Sequence, residues 1–449
     1  MEPFRVLSTL GMLGYGIPEA SLRQGVARRP HAIGADAGST DAGPHKLGRG
    51  VPDVSREVTR RDLEMMLLAG RELGVPVIVG SAGGSGARTH VEWTWEIVRE
   101  IVAARRLRLR AAVILADVPK ARILAALRSG AVRPLGPVAP LSEEVLAATT
   151  NVVAQMGTQP YIQALDAGVD LILAGRSCDA AIFAAPAIRA GADPGLAWHM
   201  GEILECGAMC AEPGSANDCM LGSIEDGRFV LEPTNPARAC TPLSVACHSL
   251  YERSSASHSE GPGHVLDMSQ SRFDALDDRR VAVSGSRYVA QPLAFKLEGA
   301  RSAGFRTIVI GGIRDPIAIS RLDEMTAAVR AATQALFPDR DYQLRFVIYG
   351  RDGVMAEREP TPVPGHEVGV LLDVVAPTQE RADTVCAFAR SQLQHYHYQG
   401  IKATAANIAF PTAPSDIPCG EVFEFSVYHL MDAGDPSELF PIEYRSLGA

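Results

Sequence analysis

Three features of the sequence predict an α/β protein, with a mainly parallel, doubly wound (Rossmann-like) sheet domain followed by a smaller α+β, ferredoxin-like domain. A short apolar segment, residues 4–8, precedes a glycine-rich turn and a helix. Apolar strands and helices then alternate through the first half of the chain, which is typical of a parallel sheet. The last third changes to the order β-α-β-β-α-β. A chain of 449 residues fits two domains, and we predict them at residues 1–285 and 290–449.

The composition is that of a globular protein, with 47% hydrophobic and 21% charged residues. The net charge is −9, and no basic tract is interleaved with aromatic residues, so we expect no nucleic-acid partner. There is no apolar run of about 18 residues and no signal-peptide pattern, so we expect no membrane partner. Eight cysteines without a CxxC pair are typical of free thiols in a reducing compartment, which predicts a cytoplasmic location.

The first half of the chain supplies most of the predicted sheet. The run Val77-Ile78-Val79 is apolar throughout, as expected for a strand buried on both faces. The pattern predicts strands at 4–8, up to 33, 76–80, 111–116, 151–155 and 169–174, with helices at 17–26, 54–73, 89–105, 119–129, 142–148, 159–167 and 180–190. Two further strands, within 267–278 and 280–287, are expected to complete this domain.

Three polar loops follow strands of this sheet, at residues 34–48, 80–86 and 175–179. In parallel sheets, ligands bind beyond the carboxyl ends of the strands. We therefore expect the three loops to converge on one site. The glycines in the second loop present backbone N–H groups to an anion on one interpretation, and on the other they only permit a tight turn.

The last third is predicted to contain strands at 307–311, 342–349, 367–375 and 421–430, with helices at 317–337 and 379–394. The segment Lys296-Leu297-Glu298-Gly299 comes just before the first of these strands. This position places it within reach of the cleft between the two predicted domains.

The candidate site residues are acids, bases and hydrogen-bonding groups of these loops and of the following helix. Carboxylates beside a histidine suit proton abstraction and return, and the candidate catalytic residues are Asp36, Asp41, His45, Lys46, Asp179 and Glu205. An arginine and backbone amides suit a carboxylate or phosphate, and the candidate substrate-binding residues are Gly83, Gly84, Ser85, Arg176 and His199. The same carboxylates suit a divalent cation, Mg²⁺ or Ca²⁺.

Asp36 and Arg176 are a candidate functional pair. A carboxylate among small residues after a strand needs partners, or its pKa rises. If the two loops are neighbours, Arg176 keeps Asp36 ionised as a general base or holds the acid group of the substrate beside it. The alternative is a structural ion pair that ties the two loops together.

Three motifs together resemble the AtuA-like family, which is named for acyclic terpene utilisation. They are Asp36-x-Gly-Ser-Thr-Asp41-x-Gly-Pro, Leu173-Ala-Gly-Arg176-x-Cys-Asp179 and His199-Met-Gly-x-Ile-Leu-Glu205-Cys-Gly-Ala-x-Cys-Ala-Glu. The resemblance implies a soluble bacterial catabolic protein of citronellol or geraniol breakdown, without a settled reaction. Family architectures include a small ferredoxin-fold domain, fused or separate, so the resemblance also implies a possible partner protein of that fold.

These observations favour a lyase, hydratase or isomerase that acts by acid–base chemistry on a small or CoA-linked organic acid. We expect a homo-oligomer. One alternative is a phosphate-binding, kinase-like protein, because Asp36-Ala-Gly-Ser-Thr40 resembles the phosphate loop of the actin and sugar-kinase superfold. Pro44 argues against it, because proline interrupts the strand that should follow. A non-catalytic subunit or scaffold of a larger complex is the other alternative.

Overall fold

The computed structural model describes residues 2–251, 253, 255–361, 363–402 and 407–448. This part of the chain is a mixed α/β structure with several sheets and 14 α-helices. It forms two compact units, one of Met1–Arg301 with Phe425–Ala449 and one of Ser302–Glu424. Within the described residues, none of the helices combines the length and the apolar character that crossing a membrane requires.

The first unit begins with alternating strands and helices. In chain order these are β1 (Phe4–Ser8), α1 (Glu19–Ala27), β2 (Ala32–Asp36), α2 (Pro44–Arg49), α3 (Arg56–Leu73), β3 (Val77–Gly80), α4 (Arg88–Arg105), β4 (Leu109–Ile114), α5 (Lys120–Arg128), β5 (Val132–Pro134), α6 (Glu143–Ala148), β6 (Asn151–Ala154), α7 (Gln159–Asp166), β7 (Leu171–Ala174), α8 (Ala181–Arg189) and α9 (Pro194–Leu204).

Mostly short strands follow in the first unit. They are β8 (Ala211–Glu212), β9 (Met220–Glu225), β10 (Arg228–Pro233), β11 (Ala239–Cys240), then α10 (Pro242–Ser249), β12 (His258–Gly261), β13 (His264–Asp267), β14 (Arg272–Ala275), β15 (Val281–Ser284), β16 (Arg287–Ala290) and β17 (Ala294–Ile313). The last of these strands is long, and the boundary between the two units falls within it.

The second unit continues from the later part of β17. It contains α11 (Pro316–Ser320), α12 (Leu322–Leu336), β18 (Gln343–Tyr349), a 3-10 helix (Ala356–Arg358), β19 (Val368–Ala376), α13 (Gln379–Gln394) and the beginning of β20 (Asp416–Asp432). The end of β20, together with α14 (Pro436–Leu439) and β21 (Ile442–Leu447), belongs to the first unit again.

A ten-stranded sheet organises the first unit, in the order β14-β15-β10-β9-β1-β2-β3-β7-β4-β21. Its middle strands, from β1 to β4 in that order, pair in parallel. Ile172 packs into the core on one face of β7, whereas Leu171 and Leu173 pack into the core on the other face. Both faces are therefore covered, which explains why these strands are apolar throughout.

Two strands differ from the sequence prediction. The segment expected at 151–155 is β6, but it pairs antiparallel with β17, with Ala154 opposite Leu297, and does not join the parallel strands. The strand β21 pairs antiparallel with β4. Because this last strand returns to the first sheet, the compact units do not have the predicted boundaries of 1–285 and 290–449. Local apolar patterns indicate strands but do not identify their partners.

In the second unit the strands lie in the order β18-β19-β17-β20. Phe305 of β17 pairs with Ala376 of β19, and α12 and α13 contribute Met325 and Val385 to the core. The order of elements along the chain is the β-α-β-β-α-β order expected from the sequence. The single long helix predicted at 317–337 is divided into α11 and α12.

Candidate active site

The three polar loops lie side by side at the carboxyl ends of β2, β3 and β7. The Ala37 N–H donates to the carbonyl of Gly80 at 3.0 Å. The Ser81 N–H donates to the carbonyl of Gly175 at the same distance. Parallel neighbours end at the same edge of a sheet, and these hydrogen bonds continue the pairing one residue beyond it. The loops therefore converge as the sequence analysis expected.

Glycine is required where these loops touch. Gly86 has φ +66°, and a Cβ there would lie 2.2 Å from the backbone nitrogen of Arg176. A Cβ on Gly38 would lie 2.8 Å from the Cα of Gly84. Backbones at this separation exclude any side chain. The loop glycines thus have a structural role, while the proposed contact of Gly83, Gly84 and Ser85 with an anion stays a prediction.

Arg176 is the centre of a buried network of ion pairs. Its Nε donates to Oε2 of Glu298 at 2.7 Å, and its Nη1 donates to Oδ1 of Asp179 at 2.8 Å. The same Nη1 lies 3.2 Å from the Oγ of Ser81. The side chain is only 2% exposed. Protein groups thus hold the guanidinium in one orientation, and the binding of a substrate acid group by Arg176 stays a prediction.

Glu298 joins two cations. Its Oε1 accepts a hydrogen bond from Thr40 at 2.7 Å and lies 2.8 Å from the Nζ of Lys296. Burial alone would raise the pKa of Glu298, but Arg176 and Lys296 hold that pKa at about 2. Glu298 is therefore ionised at neutral pH. The sequence predicts this segment within reach of a cleft between two domains, and Lys296 and Glu298 both lie in the first unit.

Asp36 is buried and incompletely hydrogen-bonded. Its Oδ2 accepts the Gly38 N–H at 3.0 Å, whereas its Oδ1 has no hydrogen-bond partner among the described residues. Burial raises the pKa of Asp36 well above its ordinary value, and the charge of Asp179 raises it further. Arg176 lowers this pKa only in part. A carboxyl group in this environment favours its protonated form.

The predicted pair of Asp36 and Arg176 is therefore replaced by a different arrangement. Arg176 forms its ion pairs with Asp179 and Glu298, and it acts on Asp36 only through its charge. The charge of Arg176 lowers the pKa of Asp36, but burial and the charge of Asp179 raise it, and the role of Asp36 as a general base stays a prediction. Asp36 has the character of an acid.

Asp179 is the second carboxyl group of the cluster. Burial raises its pKa to about 6, and the charge of Asp41 adds to the increase, while Arg176 opposes it. Its side chain is 23% exposed, more than that of Arg176. A pKa of about 6 leaves Asp179 largely ionised at neutral pH, whereas burial and the charge of Asp179 raise the pKa of Asp36 well above its ordinary value. Two neighbouring carboxyl groups with different proton affinities are suited to donate and accept a proton in one reaction.

Glu205 and Cys178 lie at the edge of this cluster. Burial raises the pKa of Glu205, and the charges of Glu202, Asp179 and Asp36 raise it further. Burial likewise raises the pKa of the Cys178 thiol. Glu205 follows directly after α9, so this helix brings a third carboxyl group toward Asp36 and Asp179.

The remaining candidates lie outside the network around Arg176. His45 and Lys46 are residues of α2 and not of a loop, and Lys46 pairs with Asp53 at 3.6 Å. Asp41 is exposed and affects the site through its charge on Asp179. His199 lies in the core, where its ring nitrogens contact Ser286 at 2.6 Å and Ser249 at 3.0 Å. Burial lowers the pKa of His199 to about 3, so the ring is neutral.

Sequence reasoning missed Ser81 as a site residue. It is buried, has φ 47°, and its Oγ accepts hydrogen bonds from Arg176 and from the Ser177 N–H. A non-glycine residue in this backbone region is strained, and such strain concentrates at functional sites. The feature of the sequence that could have identified Ser81 is its position directly after a buried strand.

The geometry of this loop can be compared with the kinase-like alternative. The loop after Asp36 leads into α2 and not into a second strand, and Thr40 is engaged by Glu298. Neither observation favours a kinase-like phosphate loop.

Within the described ranges, no group of three or more His, Cys, Asp or Glu side chains is arranged to hold a metal ion. The divalent cation stays an expectation.

These features define an α/β protein with a cluster of buried carboxyl groups at the carboxyl ends of parallel strands. The chain belongs to the acyclic terpene utilisation family AtuA, whose model matches residues 56–423. This match confirms the resemblance found in the sequence motifs. Arg176, Asp179 and Glu298 lie in the matched range, and Asp36 precedes it. Comparison with curated proteins and with solved structures found no match.

Proposed function

We propose that this member of the AtuA family is a catabolic enzyme, a lyase, hydratase or isomerase, that acts by acid–base chemistry on a small or CoA-linked organic acid. One observation carries the proposal. Asp36 and Asp179 are neighbouring carboxyl groups, and burial raises both pKa values, that of Asp179 to about 6 and that of Asp36 well above its ordinary value. This is the arrangement expected of a paired acid and base.

In the proposed reaction, ionised Asp179 accepts a proton from the substrate at the open side of the cluster. Protonated Asp36 supplies a proton, either to a leaving oxygen or to a neighbouring carbon. Glu205 is a third group for proton exchange with solvent. Arg176 and Glu298 position Asp179 and set the charge around it, so they are positioning residues.

We also propose the finer features that the family match leaves open. They are a Rossmann-like first domain with a ferredoxin-like second one, a cytoplasmic location, and a homo-oligomer or an assembly with a small ferredoxin-fold protein. Asp41, His45 and Lys46 stay candidates for catalysis. Gly83, Gly84, Ser85 and His199 stay candidates for substrate binding.

Proton transfer can be tested without knowing the full reaction. The protein is incubated in D₂O with short saturated, unsaturated and 3-hydroxy acids and with their CoA thioesters, and deuterium incorporation is followed by NMR. We expect incorporation next to the carbonyl of at least one compound. Asp36→Asn and Asp179→Asn should each reduce its rate by about 10²-fold or more, the effect of losing a general acid or base.

The matched control is Asp218→Asn. Asp218 is a buried aspartate that pairs with Arg238 and contacts none of the residues named for the reaction. This variant should keep the wild-type rate. Equal loss in all three variants, or full activity of Asp36→Asn on a compound that wild type exchanges, would contradict the acid–base proposal.

A further inference from the structure

A cavity of about 290 Å³ lies within the first unit, and Lys296 forms part of its wall. Its lining is amphipathic. Leu135, Val265 and Leu430 contribute apolar surface, and Gln155 contributes an amide. The volume is near the lower end of the range for small-molecule sites, about 300–1,000 Å³. It suits a small ligand and is too small to enclose a CoA thioester.

The cavity adjoins the acid–base cluster at two points. Lys296 Nζ lies 2.8 Å from Glu298, which in turn binds Arg176. On the second side, the Gln155 N–H donates to the carbonyl of Lys296 at 2.9 Å, and the Met156 N–H donates to the carbonyl of Arg176 at 3.1 Å. Lys296 and the backbone at Gln155 and Met156 therefore connect the cavity wall to Glu298 and Arg176.

Lys296 has donor capacity for an anion. An ammonium group has three N–H donors, and in the described part of the chain its contacts are Glu298 and the ring of Tyr428, whose centroid is 4.9 Å away. One carboxylate, Glu298, serves both Lys296 and Arg176. The side chain is 19% exposed, so an anion in the cavity can reach it.

The other charged or titratable residues of the wall direct an anion toward Lys296. Arg133 is paired with Asp432. Burial lowers the pKa of His264 to about 4, so this ring is neutral at neutral pH. Glu260 is exposed and would repel an anion. Lys296 is thus the cation in the wall that lies nearest to the cluster.

We propose that this cavity binds a free short-chain monocarboxylic acid, with its carboxylate on Lys296 and its apolar chain against Leu135, Val265 and Leu430. The inference rests on the proposed function for the class of ligand, an organic acid.

The test measures binding of hexanoate and of its uncharged analogue hexanamide to the full chain by ligand-observed NMR titration. Wild type should bind hexanoate more tightly than hexanamide. Lys296→Met should weaken hexanoate binding by about tenfold or more, the effect of removing a hydrogen bond to a charged group, and should leave hexanamide binding unchanged. Lys120→Met, which removes an exposed lysine of the same unit, is the matched control and should match wild type.

A second variant keeps the test valid if Lys296→Met fails to fold. Leu430→Trp fills the cavity without changing a charge, and it should weaken binding of both ligands. Unchanged hexanoate affinity in either folded variant, or no hexanoate binding by wild type, would overturn the inference.

The two proposals can fail separately. Asp36→Asn should still bind hexanoate as wild type does, because Asp36 is not part of the cavity wall. Binding that depends on Lys296 in a protein that exchanges no deuterium would sustain this inference and contradict the proposed function. Deuterium exchange that persists in Lys296→Met with unchanged hexanoate affinity would do the reverse.

Discussion

Asp36 and Asp218 are both buried aspartates of the first unit, yet their surroundings shift their pKa values in opposite directions. The Oδ1 of Asp218 accepts the Cys219 N–H at 2.9 Å, and its Oδ2 accepts from Asn235 at 2.7 Å and from Arg238 at 2.6 Å. Burial raises the pKa of Asp218, but hydrogen bonding to Ser21, Arg238, Asn235 and the Cys219 N–H outweighs it, and the net shift is downward.

The carboxyl group of Asp36 has fewer hydrogen-bond donors around it than that of Asp218. One oxygen has a backbone donor, the other has no partner in the described structure, and the nearest cation is already engaged by Asp179 and Glu298. The comparison teaches that burial alone does not decide the protonation state. The number of hydrogen-bond donors to the carboxyl oxygens also shifts the pKa, and Asp36 lacks the donors that make Asp218 a structural carboxylate.

The largest effect on stability is expected at Glu298. This residue lies in the same network as Asp36 but, like Asp218, it has ion-pair partners, Arg176 and Lys296. Glu298→Gln leaves buried Arg176 and partly buried Lys296 with less compensation for their charges. It should lower the free energy of unfolding by about 3–5 kcal/mol, the usual result of breaking a buried ion pair. Urea denaturation followed by circular dichroism measures this loss.

The matched control for that variant is Glu438→Gln. Glu438 also pairs with an arginine, Arg122, but its side chain is 65% exposed. The loss there should be about 0–1 kcal/mol. If the two variants lose the same amount, the buried network does not contribute to stability as described.

A smaller effect separates the two aspartates directly. The lowered pKa of Asp218 contributes stability above its unfolded pKa of about 3.9, and this stability is lost as the pH falls through the folded value. The raised pKa of Asp36 gives the opposite pH dependence. Its contribution to stability is present below the unfolded pKa of about 3.9 and is lost as the pH rises through the folded value. At neutral pH, Asp218→Asn should therefore destabilise the fold by about 1–3 kcal/mol.

Asp36→Asn should leave the melting temperature at neutral pH equal to that of wild type or higher, because asparagine removes a poorly solvated carboxyl group. Thermal unfolding of both variants, side by side with wild type, measures the difference. A decrease for Asp36→Asn as large as that for Asp218→Asn would show that Asp36 is a structural carboxylate.

The sequence predicted the parts of this site that depend on local order. Asp36, Arg176 and Asp179 follow apolar strands, and parallel pairing brings such positions together. Glu298 could not be assigned, because its place depends on β17 pairing with β6 across more than a hundred residues. The raised pKa of Asp36 follows from its burial and from the charge of Asp179, and neither can be read from the local sequence. Such long-range pairings leave no periodic pattern in a single sequence.

The protonation state of Asp36 is the central claim, and infrared difference spectroscopy of wild type against Asp36→Asn as a function of pH tests it most directly. We predict that wild type shows the carbonyl stretch of a protonated carboxyl group at about pH 5, where an ordinary aspartate has ionised, and that this band is absent from the variant. The corresponding band of Asp179 is identified by its absence from Asp179→Asn. As the pH rises, it should disappear with a midpoint at a pKa of about 6. If the Asp36 band is already absent at about pH 5, with a midpoint near the ordinary value of about 3.9, Asp36 is an ordinary carboxylate and the acid–base account is wrong.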